Sequence, residues 1–419
     1  MSTQVQDAKA GIITDEMKFV ANKENVSVQV IKDGVAKGKI VILKNNKRID
    51  STPTAVGEGL KIKVCAPLNK HNRNASLDGE LDKLRIIQNA GADVVIDYSS
   101  NKLIDETREA ILSTSKLPVG SNPILQAGVE FLETNSDIAL LTKFDILSTI
   151  ERHCSDGVDF ICLQAGFSQA ILKQYEAQNR ISKKLSIPAT ILACWMKATG
   201  LENPLYQYFD DILKIVKPYD VTLVLSSCLS SINTFDASDA LEVSEIIVLS
   251  ELIKKAREND VQVMIEGIDM ASLNKIPMMV QNIKQLTDFA PLFLTSALAC
   301  DTAIGIDNIT SAIGSALACY QGANMINAVC AFDRVGVLKA TQLKEAIMSA
   351  KIAAHCADLA CGHIDTTKQN YKMAFAVSNS DSKKQMENCL DKSILDKVKT
   401  SKNASLGAYI DELYNKYFK

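Results

Sequence analysis

The feature that most constrains this chain is a join that recurs along it. An amphipathic helix stops at Gly or Asn, a small or acidic residue follows, and the chain enters a short β-branched run. Four copies are plain: Gly91 before Val94-Val95-Ile96, then Asp156-Gly157-Val158, Asn259-Asp260-Val261 and Gln321-Gly322-Ala323. In the first, Ser76 is placed to cap a helix whose Leu77, Leu81, Leu84 and Ile87 share a face, and Gly91 supplies its left-handed stop. Further strand candidates are Ile62–Val64, Leu117–Gly120, Ile187–Trp195, Val221–Leu225 and Leu292–Leu294, which bring the total to about nine. Strands so uniformly apolar are covered by helices on both faces. The expected fold is therefore α/β, a (β/α)8 TIM barrel closed by eight of these runs, in preference to an open doubly wound sheet. No strand is followed by Gly-x-Gly-x-x-Gly and a helix, which counts against a dinucleotide fold.

At 419 residues the chain exceeds a single barrel of about 250. The expected division is a lead-in region over 1–60, the barrel over 61–375 and a peripheral tail over 376–419, with a weakly amphipathic helix around Leu406 to Tyr417. An apolar content of 47% and a charged content of 23% are those of a soluble globular protein. The net charge is −3 and no run of Lys or Arg exceeds two residues, so nucleic acid is not an expected partner. Ile309 to Phe332 has no charge and is long enough to span a bilayer. Its Gly314, Gln321, Gly322, Asn324 and Asn327 instead suggest a buried helix, a glycine stop and a buried strand, with no membrane role. The polar start Met1 to Ala10 lacks the apolar core of a secretory signal, and a cytoplasmic location is expected. Eleven cysteines lie scattered, the close pairs Cys154/Cys162 and Cys356/Cys361 having no ligand spacing, and read as small buried hydrophobes in a reducing compartment.

Barrel chemistry sits at the C-terminal ends of the strands. Those ends carry Cys65-Ala66-Pro67, Asp97-Tyr98-Ser99, Asn122 to Leu125, Gln164-Ala165-Gly166, Ser226-Ser227-Cys228, Glu266 to Met270 and Ala299-Cys300-Asp301. None of His71, His153, His355 or His363 lies there, so no metal cage is expected. Asp97, Glu266 and Asp301 are candidates for a carboxylate cluster able to hold a cation or move a proton, with helix capping as the plainer role for each. Gly34 to Lys39 is one residue short of a phosphate loop and precedes a strand, which marks a helix-ending turn. His355, Cys356, Cys361 and His363 look metal-like, yet residues five apart on a helix point ~140° away from one another.

Several runs carry a resemblance: Gly11 to Met17 with Gly34 to Gly38, Glu202 to Tyr206, Tyr219 to Leu223, Val261 to Gly267 and Ile309 to Gly314. Over roughly residues 8 to 375 the chain resembles the phosphomethylpyrimidine synthases of thiamine biosynthesis, the ThiC family, which also includes 5-hydroxybenzimidazole synthases. The resemblance implies a (β/α)8 barrel, a homodimer or a heterodimer with a paralogue, and descent from radical enzymes that cleave S-adenosylmethionine with a [4Fe–4S] cluster. It also implies losses. The family's first-strand Asn-Ala-Asn falls on Cys65-Ala66-Pro67, the Met of its Met-Asp-Leu-Ser on Ile96, and the Tyr after its third strand on Leu125. Its His-Cys-Gly falls on Gln164-Ala165-Gly166, its Ser-Arg-Gly on Ser186-Ile187-Pro188, and its Asp-Gly-Leu-Arg on Ser227-Cys228-Leu229-Ser230. The two zinc histidines fall on Met270 and Asn308, a tyrosine falls on Phe293, and no cysteine follows Cys389, where the family binds its cluster.

The guanidiniums suited to a phosphate, and the thiolates suited to iron, are missing from these positions. The expected function is a non-catalytic paralogue that binds a ligand or partner through a degenerate pocket of Glu266, Asp97, Asp301, Gln164, Ser227 and Ser186. No cofactor is expected, neither cluster, S-adenosylmethionine nor zinc. The alternative is an active carbon–carbon lyase of thiamine pyrimidine or 5-hydroxybenzimidazole synthesis, its cluster supplied by a partner chain, or a new cluster-free lyase.

Overall fold

The computed structural model describes residues 2–69, 75–100, 103–134, 137–336, 338–379, 382–391 and 416–417. His71 lies outside them, as does most of the tail helix expected around Leu406 to Tyr417. The contacts divide the chain into a unit over 1–363 and a second over 364–419. The second contains the helices Ile364–Ser378 and Ser382–Asn388.

Ten strands are formed: β1 (Ile40–Leu43), β2 (Thr54–Gly57), β3 (Lys63–Leu68), β4 (Val94–Asp97), β5 (Val119–Ser121), β6 (Phe160–Leu163), β7 (Thr222–Ser226), β8 (Val263–Gly267), β9 (Leu292–Leu294) and β10 (Met325–Asn327). The last eight pair in parallel and close a barrel, with β10 returning to β3. The expected (β/α)8 barrel is the observed fold. One of the nine expected strands is corrected: Ile187–Trp195 lies within the helix Ile187–Thr199. Ser186 caps that helix and Pro188 sits in its first turn, and Ala189, Leu192, Trp195 and Met196 form its buried face. A short apolar run does not distinguish a buried strand from a buried helix by periodicity, and here the cap and the proline decide.

Side chains alternate between two cores. Val64, Ala66, Val95, Ile161, Leu163, Leu223, Leu225, Val263 and Ile265 point outward to the helices. Cys65, Val94, Ile96, Phe160, Cys162, Val224, Met264, Phe293 and Met325 fill the interior. Space in that interior is tight, since a Cβ on Gly120 would stand 2.1 Å from the Phe160 ring.

The N-terminal helices Gln4–Lys9, Asp15–Glu24 and Val28–Ala36 start at the caps Thr3, Thr14 and Ser27. Gly34 belongs to the last of them and Gly38, at φ 68°, follows its end, which is the turn expected there. The antiparallel hairpin of β1 and β2 then closes the barrel from below. Ile40, Ile42 and Ala55 pack on the lead-in helices, whereas Val41, Leu43 and Val56 enter the interior core. Polar fastenings hold the hairpin. The Ile42 N–H donates to Gln262 Oε1 at 2.6 Å and the Asn45 N–H to Asp159 Oδ1 at 2.9 Å, both acceptors lying just before barrel strands. Among the described residues no helix is long and apolar enough to cross a membrane. The helix Asp307–Tyr320 and strand β10 take up the uncharged run, as expected.

Candidate functional site

With the bottom sealed, the open end of the interior is the C-terminal rim of the strands, as in other barrels of this kind. Alternation fixes which residues reach it. Counting by two from the interior core brings Tyr98, Gln164, Ser226, Glu266, Thr295 and Asn327 to the inside, above Cys65 and Cys162. Glu266 is only 7% exposed, and the Ser226 hydroxyl on the neighbouring strand donates to its Oε2. The Asn122 amide donates to Gln164 Oε1 at 3.3 Å, and the Gln164 carbonyl is held by Asn203 Nδ2 at 2.9 Å. The Asn327 amide donates to the Thr295 carbonyl at 3.1 Å.

The electrostatics follow from burial around one carboxylate. Desolvation first, and the Glu266 charge second, push the Cys65 and Cys162 thiols and the Tyr98 phenol well above their ordinary ranges. These groups are therefore neutral hydrogen-bonding surfaces, and the thiols are not nucleophiles.

Cations stand at this end of the barrel but are engaged. Arg180 holds Asp239 with Nε and Nη2, both at 2.7 Å, and the Leu229 carbonyl with Nη1. Lys275 donates to the carbonyls of Thr234, Phe235 and Ala237. Arg334 Nε meets Asp307 Oδ1 at 2.8 Å, and Nη1 meets the Asp301 carbonyl at 2.9 Å.

The six residues expected to form the pocket separate into three groups. Glu266 and Gln164 face the mouth. Asp97 and Ser227 face outward, one strand position away from the inward Tyr98 and Ser226, although Ser227 lines one cavity with Glu266, Ser230 and Glu242. Asp97 Oδ1 accepts from the Ser99 N–H at 2.9 Å, and burial raises its carboxyl to about 6. Ser227 donates at 2.5 Å to Glu245 of the helix Ala240–Glu258, which also accepts the Cys228 and Leu229 N–H groups. Asp301 and Ser186 lie in loops. Asp301 accepts the Thr234 hydroxyl and N–H, tying two strand-end loops together, and Ser186 is an exposed helix cap.

Asp97, Glu266 and Asp301 therefore do not converge, and among the described residues no three His, Cys, Asp or Glu side chains are grouped to hold a metal. The position of Ser226, Tyr98 and Asn327 was available from counting by two along each strand, once the central apolar residue was assigned to the interior. Ser121 and His153 meet at 2.6 Å like a catalytic pair, but both are buried behind β5, where Gln126 and Arg108 occupy the other ring nitrogen. Burial, then Arg108, hold that imidazole well below its ordinary pKa, so it is a neutral structural group.

The side chains at the two positions where the resemblance expects zinc ligands do not suit that ion. Met270, where the resemblance expects a zinc ligand, is 1% exposed and packs with Leu298 and Val329 in a small apolar cluster. Asn308, at the other, donates to Ser349 Oγ at 3.2 Å. Cys389 donates to the Asp391 carbonyl. A buried thioether and an amide are not a zinc donor pair.

The Radical SAM ThiC family model matches residues 3–408. The chain is 38% identical to a phosphomethylpyrimidine synthase of Caldanaerobacter subterraneus over 401 residues, covering 96% of this chain and 93% of that protein. It is also 38% identical to the 5-hydroxybenzimidazole synthase BzaB of Moorella thermoacetica over 389 residues, covering 93% and 91%. The shared barrel, its rim and this continuous similarity lead to one conclusion: the chain belongs to the radical SAM ThiC family.

Proposed function

We propose that this chain holds a small, unphosphorylated nitrogen heterocycle in the barrel mouth, in the thiamine-pyrimidine or hydroxybenzimidazole branch of metabolism its relatives are named for, and carries no cluster chemistry alone. One observation carries the reading. The inward-facing polar groups, Tyr98, Gln164, Ser226, Glu266, Thr295 and Asn327, are neutral or acidic, while Arg180, Lys275 and Arg334 are consumed by loop contacts. A phosphate placed there would meet Glu266 with no free guanidinium among the described residues to offset it, Arg73 lying outside them. A thermal-shift titration with 4-aminopyrimidine, benzimidazole and a phosphorylated pyrimidine tests this. Binding of the first two at a hundredfold excess over Kd stabilises the fold by ~2.7 kcal/mol. Stabilisation by the phosphorylated compound alone overturns the reading.

A second reading is favoured by the comparisons themselves, because the relatives are synthases matched over nearly the whole chain. In it the chain takes part in carbon–carbon lyase chemistry, paired with a paralogue that supplies the cluster. Mixing the purified chain with a cysteine-tailed synthase under anaerobic conditions, and following S-adenosylmethionine consumption, separates the readings. Activity of the mixture beyond that of the synthase supports the pair. A cytoplasmic location and a homodimer or heterodimer are part of the proposal.

A further inference from the structure

The segment around β10 holds two asparagines, and they are used differently. Asn324, just before the strand at the closed end, has an oxygen that accepts the Leu292 N–H at 3.0 Å and Lys284 Nζ at 2.9 Å. It is a structural fastening between β9, β10 and the helix Ile276–Leu286. Three residues later Asn327 lies at the rim, 4% exposed, with its side chain on the interior face shared by Met325. Its nitrogen donates to the Thr295 carbonyl, which fixes the orientation of the amide. Its Oδ1 is buried and meets no donor among the described residues. A buried amide oxygen without a donor is costly, and in a native protein such an oxygen is met by an ordered water or by a bound partner.

The surroundings narrow the chemistry of that partner. Cys65, paired in register with Asn327, offers only a weak thiol donor, and its thiol senses the Glu266 carboxylate. The mouth therefore presents the Asn327 oxygen as an acceptor, beside the Glu266 carboxylate that Ser226 already engages, the Tyr98 phenol and the Gln164 amide. A ligand that satisfies that oxygen brings an N–H group.

We propose that Asn327 Oδ1 is the specificity determinant of the mouth: it accepts a ring N–H or primary amine of the bound heterocycle and rejects the same ring when that N–H is blocked. The inference rests on the preceding reading that the mouth holds a small nitrogen heterocycle. A site built around an acceptor discriminates strongly against a ligand that cannot donate to it, because the oxygen is then left buried and unmet.

The test uses the full chain and two probes of nearly equal shape, benzimidazole and 1-methylbenzimidazole, titrated by calorimetry. The unsubstituted ring is expected to bind about tenfold or more tightly. Asn327→Leu is expected to bring the two affinities within about twofold of each other. Should that variant fail to fold, Asn327→Cys removes the oxygen with a smaller change of shape. Equal affinities in the unmodified chain, or an undiminished preference in the folded variant, overturn the inference alone. Binding of neither probe, nor of 4-aminopyrimidine, overturns the reading of the mouth and the inference with it.

Discussion

The closed and open ends of the barrel are made from the same strands, yet buried ion pairs to the floor are a feature of the closed end. At the closed end Lys63 pairs with Glu24 at 3.2 Å, and Arg48 pairs with Asp159 and also reaches the Ser115 and Leu117 carbonyls. Asp159 further accepts the Asn45 and Val119 N–H groups. The open end retains the Asn327 oxygen, unmet among the described residues, and a carboxylate close to two thiols and a phenol. Unmet buried oxygens occur at both ends, Thr54 and Thr222 below and Asn327 above, so the difference lies in the buried ion pairs that tie the floor to the strands, while the strand ends that bind in this kind of barrel lie above.

The sharpest way to break the comparison is at the closed end. Asp159→Ala leaves the buried Arg48 guanidinium without its carboxylate and two backbone N–H groups without an acceptor, with an expected loss of about 3–5 kcal/mol in denaturant unfolding. A loss under about 1 kcal/mol would mean that the closed end is not the stabilising one. Next in size is Gly314→Ala. Its Cβ would stand 2.0 Å from the Ala297 carbonyl oxygen, and backbone does not yield as a flexible side chain does. The expected cost is about 1–3 kcal/mol, read in the same experiment.

At the open end the expectation reverses, toward binding and away from stability. Glu266→Gln keeps an acceptor for the Ser226 hydroxyl but removes the charge, and is expected to weaken benzimidazole binding about tenfold with little change in the unfolding midpoint. An unfolding midpoint that moves while affinity does not would assign Glu266 to the fold.

The smallest effect is a dependence of stability on pH. Burial raises Asp97 to about 6, and Asp220 and Glu242 to about 7 each. The folded chain therefore holds these protons more tightly than the unfolded chain does. By linkage their contribution to stability is fully present near pH 4 and is lost as pH rises toward 7. Below about pH 4 the sign reverses, as Asp105, Asp236 and Asp260, whose partners lower their pKa, become protonated. Thermal midpoints from pH 4 to 8 are expected to decline most steeply between about 5 and 7, and Asp220→Asn to flatten that decline. A midpoint that climbs through this interval would show that the ordinary surface carboxylates dominate.

Much of the architecture is legible from local sequence. Ser76 and Gly91 bracket a helix because a hydroxyl caps free N–H groups and glycine tolerates φ 77°. The second hairpin strand was not legible: Thr54–Gly57 offers only Ala55 and Val56 as apolar residues, and it becomes a strand because β1 and the barrel floor lie against it. The site was half legible. Strand ends name the right neighbourhood, but at β4 and β7 the expected residues, Asp97 and Ser227, lie one position from those that face inward.

The amino-acid order alone sets the succession of helix, stop and apolar run, because capping, glycine stops and local periodicity act over a few residues. Which side chains meet at the rim was decided by closure of the barrel. An alternation of two has two equally good phases along an apolar strand, and only the packing of Phe160, Met264, Phe293 and Met325 against the hairpin chooses between them.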